Sequence, residues 1–220
     1  MVSLGRRAYN LMYRFGAPWE GADRAELRRL VADGRCAPET LRRRGASAAR
    51  AIDLGCGTGG VAIELAEAGF DVTGVDFSEV ALRKARTAAE RHGLGADRIR
   101  FIAGDLTAGQ VAGVDGPFDL LVDYGTLDDL PDAERHAMAA YVTDLARPGS
   151  RFFLFAFCGR PEELPWMSFS GPSKAFPGLL MGEVERRFEP AFRVDVIDAP
   201  TRTRAVGTYL LERRYPTQGA

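Results

Sequence analysis

The run Ala51-Ile52-Asp53-Leu54-Gly55-Cys56-Gly57-Thr58-Gly59-Gly60 holds the residues of this chain best suited to chemistry. An apolar stretch ends in a carboxylate, and alternating glycines follow. Glycine has no Cβ, so the backbone can turn tightly there and lie close to a ligand. A helix starting at Gly60 would direct its unpaired N–H groups to the same place and favour an anion. Two patterns overlap. Gly55, Gly57 and Gly60 give G-x-G-x-x-G, the spacing of dinucleotide sites. Asp53 with Gly55, Gly57 and Gly59 gives D-x-G-x-G-x-G. A carboxylate beside the loop is a liability for a pyrophosphate and an asset for a cofactor carrying positive charge. S-adenosylmethionine (SAM), with its ammonium and sulfonium, is such a cofactor. An NAD-dependent oxidoreductase remains open only through the overlap, and an ordinary strand-to-helix turn is the third reading.

Asp76, in Val75-Asp76-Phe77-Ser78, can accept from both hydroxyls of a ribose or cap the helix that follows. Phe77 is suited to flank an adenine by stacking. Asp128 follows a fourth apolar run and can orient a donor on a substrate, hold an amine, or lie in a surface turn before Pro131. His92 and His136 are the only histidines, and both are expected to face water.

Strands and helices must alternate to bring these residues together. From Arg50 onward they do: strands are expected at 51–54, 71–76, 100–103, 118–123 and 151–157. Helices are expected at 60–68, from Ser78 to about His92, and at 132–146 before Pro148-Gly149. The fifth run is almost wholly apolar, as a central parallel strand should be. The tail differs. A short helix at 183–188 precedes strands at 192–198 and 205–213, close enough to form an antiparallel hairpin. Ahead of the core, Asp23 and Glu26 have capping-box spacing, and Gly34 ends that helix. In an open α/β sheet ligands sit beyond the carboxyl ends of the strands, and each candidate acid occupies such an end.

The D-x-G-x-G-x-G run resembles motif I of the class I SAM-dependent methyltransferases. The terminal hairpin adds to the likeness, which covers about residues 50–213. It implies an α/β, Rossmann-like, doubly wound seven-stranded sheet in the order 3-2-1-4-5-7-6, mostly parallel with a C-terminal antiparallel hairpin. It implies SAM as cofactor, held by Asp53, Gly55, Gly57, Gly59, Asp76, Phe77, Gly104, Asp105, Leu106, Asp123 and Tyr124. By that resemblance Asp105 accepts from the adenine amino group, Leu106 packs on the ring, and the Asp123-Tyr124 end lies near the methionine moiety. The [DN]-P-P-[FYW] sequence of base and amide methylating relatives is absent: Asp123-Tyr124-Gly125-Thr126 stands there. Many small-molecule members carry a His near the position of Asp128, which puts a His-based mechanism in doubt and leaves Asp128 as the catalytic candidate. Pro18-Trp19-Glu20 is similar to the thiopurine S-methyltransferase and tellurite-resistance subgroup.

The 220 residues suit one domain: a helical lid over 1–49, a cofactor core over 50–157, a substrate loop over 158–182, and a helix and hairpin over 183–220. A formal net charge of -1 argues against nucleic acid as partner. Three cysteines without metal-like spacing imply no metal and a reducing cytoplasm, and no apolar run suggests a membrane span. Phe15 and Trp19 from the N-terminal stretch, Asp128, and Trp166 and Phe169 from the loop are the expected substrate wall. The combined expectation is methyl transfer from SAM to S, O or N of a small aromatic or heterocyclic molecule. A protein or RNA acceptor, or a non-catalytic SAM-binding regulator, is the alternative.

Overall fold

The computed structural model describes residues 4–160, 178–201 and 204–216. Helices α1 (Leu4–Phe15), α2 (Ala25–Ala32) and α3 (Pro38–Leu41) precede the core, with a single 3-10 turn at Pro18–Gly21. Then follow β1 (Arg50–Leu54), α4 (Gly60–Glu67), β2 (Asp71–Asp76), α5 (Glu79–Arg91), β3 (Ile99–Ala103) and β4 (Phe118–Tyr124). After a 3-10 turn at Leu127–Asp129 come α6 (Asp132–Leu145), β5 (Ala146–Gly159), β6 (Leu179–Leu180), α7 (Glu183–Phe188), β7 (Phe192–Asp198) and β8 (Val206–Arg213).

The sheet runs β3-β2-β1-β4-β5-β8-β7, parallel up to β5 and antiparallel from there. This is the expected order with one element added. β6 pairs in parallel with the end of β5, through Cys158 and Gly159. Two residues carry no periodicity, so no sequence signal marks β6. Strand β5 also starts earlier than expected. Its pairing with β4 jumps from Phe118↔Ala146 to Leu120↔Arg151, and that irregularity takes up Pro148 and Gly149 within the strand.

The register lines up the strand ends. Leu54 stands opposite Val75 on one side and Asp123 on the other, and Asp76 stands opposite Ala103. The carboxyl ends of β1 to β4 therefore share one rim. Two cores hold the layers in place. One packs α2, α3, α4 and α5 on one face, with Leu27, Leu30, Leu65, Phe70 and Leu82 buried. The other packs α6 and α7 on the opposite face, where Phe152, Phe188 and Phe192 meet ring against ring. Each such ring contributes about 1.5–3 kcal/mol by burial. Helix α1 belongs to neither. Tyr13, Ala17 and Ala81 make a third, small cluster with Tyr9, Met12, Trp19 and Val80 against it. Among the described residues no helix is long and apolar enough to cross a membrane.

Candidate cofactor and acceptor site

Burial draws the strand-end acids into work on the backbone. Asp53 accepts the Ala62 N–H on Oδ2 at 3.1 Å, so it faces the first turn of α4. Burial, only partly offset by that hydrogen bond, pushes its carboxyl up to about 7. Asp76 ties two loops together. Its Oδ2 accepts the Gly57 N–H at 2.9 Å and its Oδ1 the Ser78 N–H at 2.7 Å. Burial again dominates and pushes its carboxyl up to about 6. Asp123 accepts the Thr126 N–H at 2.7 Å and the Leu127 N–H at 3.0 Å, and burial raises it well above the usual carboxylate range. The half-buried Asp105 accepts the Thr107 N–H at 2.9 Å and the Thr107 hydroxyl at 2.6 Å. Beside it Gly104 donates to the Asp76 carbonyl at 3.0 Å, and Leu106 is buried.

The glycine loop is drawn tight by its own neighbours. Gly55 and Gly57 have φ of +78° and +51°, in the left-handed region that penalises a side chain. A Cβ on Gly55 would stand 1.9 Å from Thr126 Oγ1, and one on Gly57 would stand 2.9 Å from Tyr13 Oη. Gly59 is the residue from which α4 starts.

Residues 51–149 match the family model described as "Methyltransferase domain". Those residues carry a methyltransferase domain. Over 141 residues the chain is 26% identical to a 2-heptyl-1-hydroxyquinolin-4(1H)-one methyltransferase of Mycobacteroides abscessus, covering 64% of this chain and 56% of the relative. Over 112 residues it is 33% identical to a ubiquinone biosynthesis O-methyltransferase of Aromatoleum aromaticum, covering 51% and 45%. The chain thus spans about half the length of these relatives. The magnesium protoporphyrin IX methyltransferase of Synechocystis PCC 6803, crystallised with SAM bound, shares the fold at a TM-score of 0.59 and 21% identity, over 97% of this chain and 85% of that one.

The rim of the methyltransferase domain fits SAM in its donor set. Free N–H groups at the start of α4 suit a carboxylate, and the buried acids suit a cation. Arg24, which the sequence did not single out, reaches this place from the N-terminal segment. Its Nε donates to Glu64 Oε1 at 2.8 Å, and its Nη2 stands 2.9 Å from where a Cβ on Gly60 would sit. The guanidinium therefore lies over the first residue of α4. Nothing in an Arg-rich stretch distinguishes this arginine before the fold is known.

The remaining candidates divide. Phe77 is half-buried and meets Tyr9 edge-on at 5.9 Å. Tyr124 stacks on Phe155 at 4.3 Å, and its hydroxyl donates to the Asp23 carbonyl. Phe15 was expected in a substrate wall but is 84% exposed. On α1 the spacing that turns Tyr9, Met12 and Tyr13 inward turns Phe15 outward. Trp19 packs among Tyr9 and Tyr13, at 5.5 and 5.8 Å. Trp166 and Phe169 lie outside the described residues.

Asp128 is not a surface residue. It is 2% exposed, and its Oδ2 accepts the Phe157 N–H at 3.0 Å. Its Oδ1 has no hydrogen-bond partner among the described residues and stands 3.9 Å from a Cβ built on Gly125. Burial pushes its carboxyl up to about 6. The two histidines are exposed, and His92 Nδ1 pairs with Glu67 at 2.7 Å.

Proposed function

We propose that this chain transfers the methyl group of SAM to an oxygen, sulfur or nitrogen of a small aromatic or heterocyclic molecule. The observation that carries the reading is the bond from Gly57 N–H to Asp76, which joins the glycine loop to the end of β2 at 2.9 Å. It builds the floor on which a nucleoside and its amino-acid arm would lie. The α4 N-terminus and Arg24 would meet the cofactor carboxylate, and Asp76 the ribose. When bound, SAM supplies an electrophilic methyl on a good leaving group. The residues of the chain then have to align the acceptor and exclude water, which is worth about 7–11 kcal/mol in well-oriented systems.

Asp128 is the group proposed on the acceptor side. A buried carboxylate oxygen without a partner among the described residues favours an O–H or N–H donor placed against it. Once ionised, it is suited to accept that proton as the methyl transfers. Relatives named for methylating a hydroxyquinolinone and for O-methylation in ubiquinone biosynthesis support a small-molecule acceptor.

Titration calorimetry tests the cofactor half. SAM or its demethylated product should bind at micromolar concentration, about -8 kcal/mol, and Asp76→Ala should weaken binding at least tenfold. A wild-type chain that binds neither compound would overturn the reading. Methyl-labelled SAM with a panel of heteroaromatic hydroxyls, thiols and amines tests the acceptor half. Labelling of none of the panel, with SAM still bound, would count against the small-molecule acceptor.

A further inference from the structure

Tyr13 is buried directly against the glycine loop although it belongs to a helix outside both main cores. Its ring packs edge-on to Trp19 at 5.8 Å. Its Oη lies 2.9 Å from the place a Cβ on Gly57 would take, so the absence of that Cβ is what admits the phenol. Burial raises the hydroxyl far above its ordinary value, and the neighbouring Asp76 adds to the effect, so the group stays protonated. A phenol that keeps its proton has an O–H to donate.

The helix that carries Tyr13 is held at the same rim. Ser78 donates its hydroxyl to Asn10 Oδ1 at 2.5 Å, and Tyr9 meets Phe77 at 5.9 Å. Both partners follow Asp76 directly in the chain. The buried contacts of α1 therefore gather around the end of β2 and the start of α5, in a cluster separate from the two main cores. An element held by a small satellite cluster opens at lower free energy than the core beneath it. What stabilises the rim should then stabilise the helix.

We propose that Tyr13 is a cofactor-contacting residue: its O–H donates to an oxygen of the bound cofactor over Gly57, so that cofactor binding and the docking of α1 stabilise each other. This rests on the SAM reading above. It moves the N-terminal aromatic residues from the acceptor wall to the cofactor.

Hydrogen exchange and calorimetry with S-adenosylhomocysteine, the demethylated product, test it on the full chain. Addition of the product should slow exchange of the amides of α1, not only those of the glycine loop. Tyr13→Phe should bind the product about five- to tenfold more weakly, the loss expected for one hydrogen bond. The Phe variant keeps the ring and its packing on Trp19, so a change in affinity reads the hydroxyl rather than the fold. Wild-type affinity in Tyr13→Phe, or unchanged exchange in α1 while the wild type binds product, would overturn the proposal alone. A wild type that binds no product would overturn the cofactor reading with it.

Discussion

Asp128 Oδ2 accepts the N–H of Phe157 at 3.0 Å, tying the turn after β4 to the end of β5. The Asp128 carbonyl accepts the Gly178 N–H at 2.8 Å, so both chain ends flanking residues 161–177 are fixed to one residue. Asp128→Ala removes the acceptor from the part-buried Phe157 N–H. It should lower the unfolding free energy by about 1–3 kcal/mol in urea denaturation. Among the described residues no hydrogen bond joins Asp128 to the glycine loop, so product affinity by calorimetry should stay within about twofold. A large loss of affinity with stability intact would place Asp128 on the cofactor instead.

Arg135 makes that anchor rigid. It is 8% exposed, and it donates to the carbonyls of Asp128 and Gly178, each at 2.8 Å, and to Glu183 at 3.2 Å. Glu183 in turn accepts the Leu180 N–H at 2.8 Å and pairs with Arg187 at 2.7 Å. Burial works against the Glu183 carboxylate, yet these donors hold it below its usual range. Arg135→Met should cost about 3–5 kcal/mol, because it leaves Glu183 buried with one cation fewer and takes a donor from the Asp128 and Gly178 carbonyls. Combining it with Glu183→Gln should cost less than the two single changes summed. Strict additivity in a double-mutant cycle would show that the pair does not act as a unit.

The protein itself demands glycine at position 55. Gly55→Ala forces a side chain into the left-handed region and sets its Cβ against Thr126, whose hydroxyl donates to the Leu54 carbonyl at 3.0 Å. Thermal unfolding should show a loss of at least about 1–2 kcal/mol from the backbone conformation alone, with the clash in addition. Thr126→Ala in that background should recover part of the clash and none of the backbone strain. No recovery would mean that the turn had already moved.

The strands and the rim of acids were legible because each rests on a local signal, whereas the sheet order followed from the family resemblance. Apolar runs mark parallel strands, and an acid or a glycine marks where each run stops. What those acids bond to was not legible. Asp53 reads in the sequence as a carboxylate offered to a cofactor, whereas its oxygen is directed at Ala62. That outcome depends on how α4 packs over β1. Arg24 and Arg135 were hidden for the same reason: each acts across a long sequence separation, Arg24 on Glu64 and Arg135 on Glu183. Phe15 illustrates the reverse error. An aromatic residue in an aromatic-rich stretch suggests a wall, but the phase of a helix decides which residues of the stretch face inward.

The raised carboxyl of Asp76 makes the stability of the chain depend on pH. Burial lifts it to about 6 in the folded chain, against about 3.9 when unfolded. Below about pH 4 both states hold the proton, and the group does not affect stability. Between about pH 4 and 6 the folded state keeps a proton that the unfolded state has lost, so stability falls as pH rises. Above about pH 6 the loss is complete, near 3 kcal/mol for a shift of about two pH units. Asp76→Asn cannot titrate. It carries a fixed cost, because its amide NH2 faces a backbone donor, and that cost does not vary with pH. The unfolding free energy of the wild type minus that of the variant should therefore drop by about 2 kcal/mol between pH 4.5 and 7.5 in urea. Taking the difference cancels most of the contribution of groups that shift the other way, such as Glu183. A difference that stays flat or rises with pH would mean that the Gly57 and Ser78 N–H groups stabilise the ionised form more than burial penalises it.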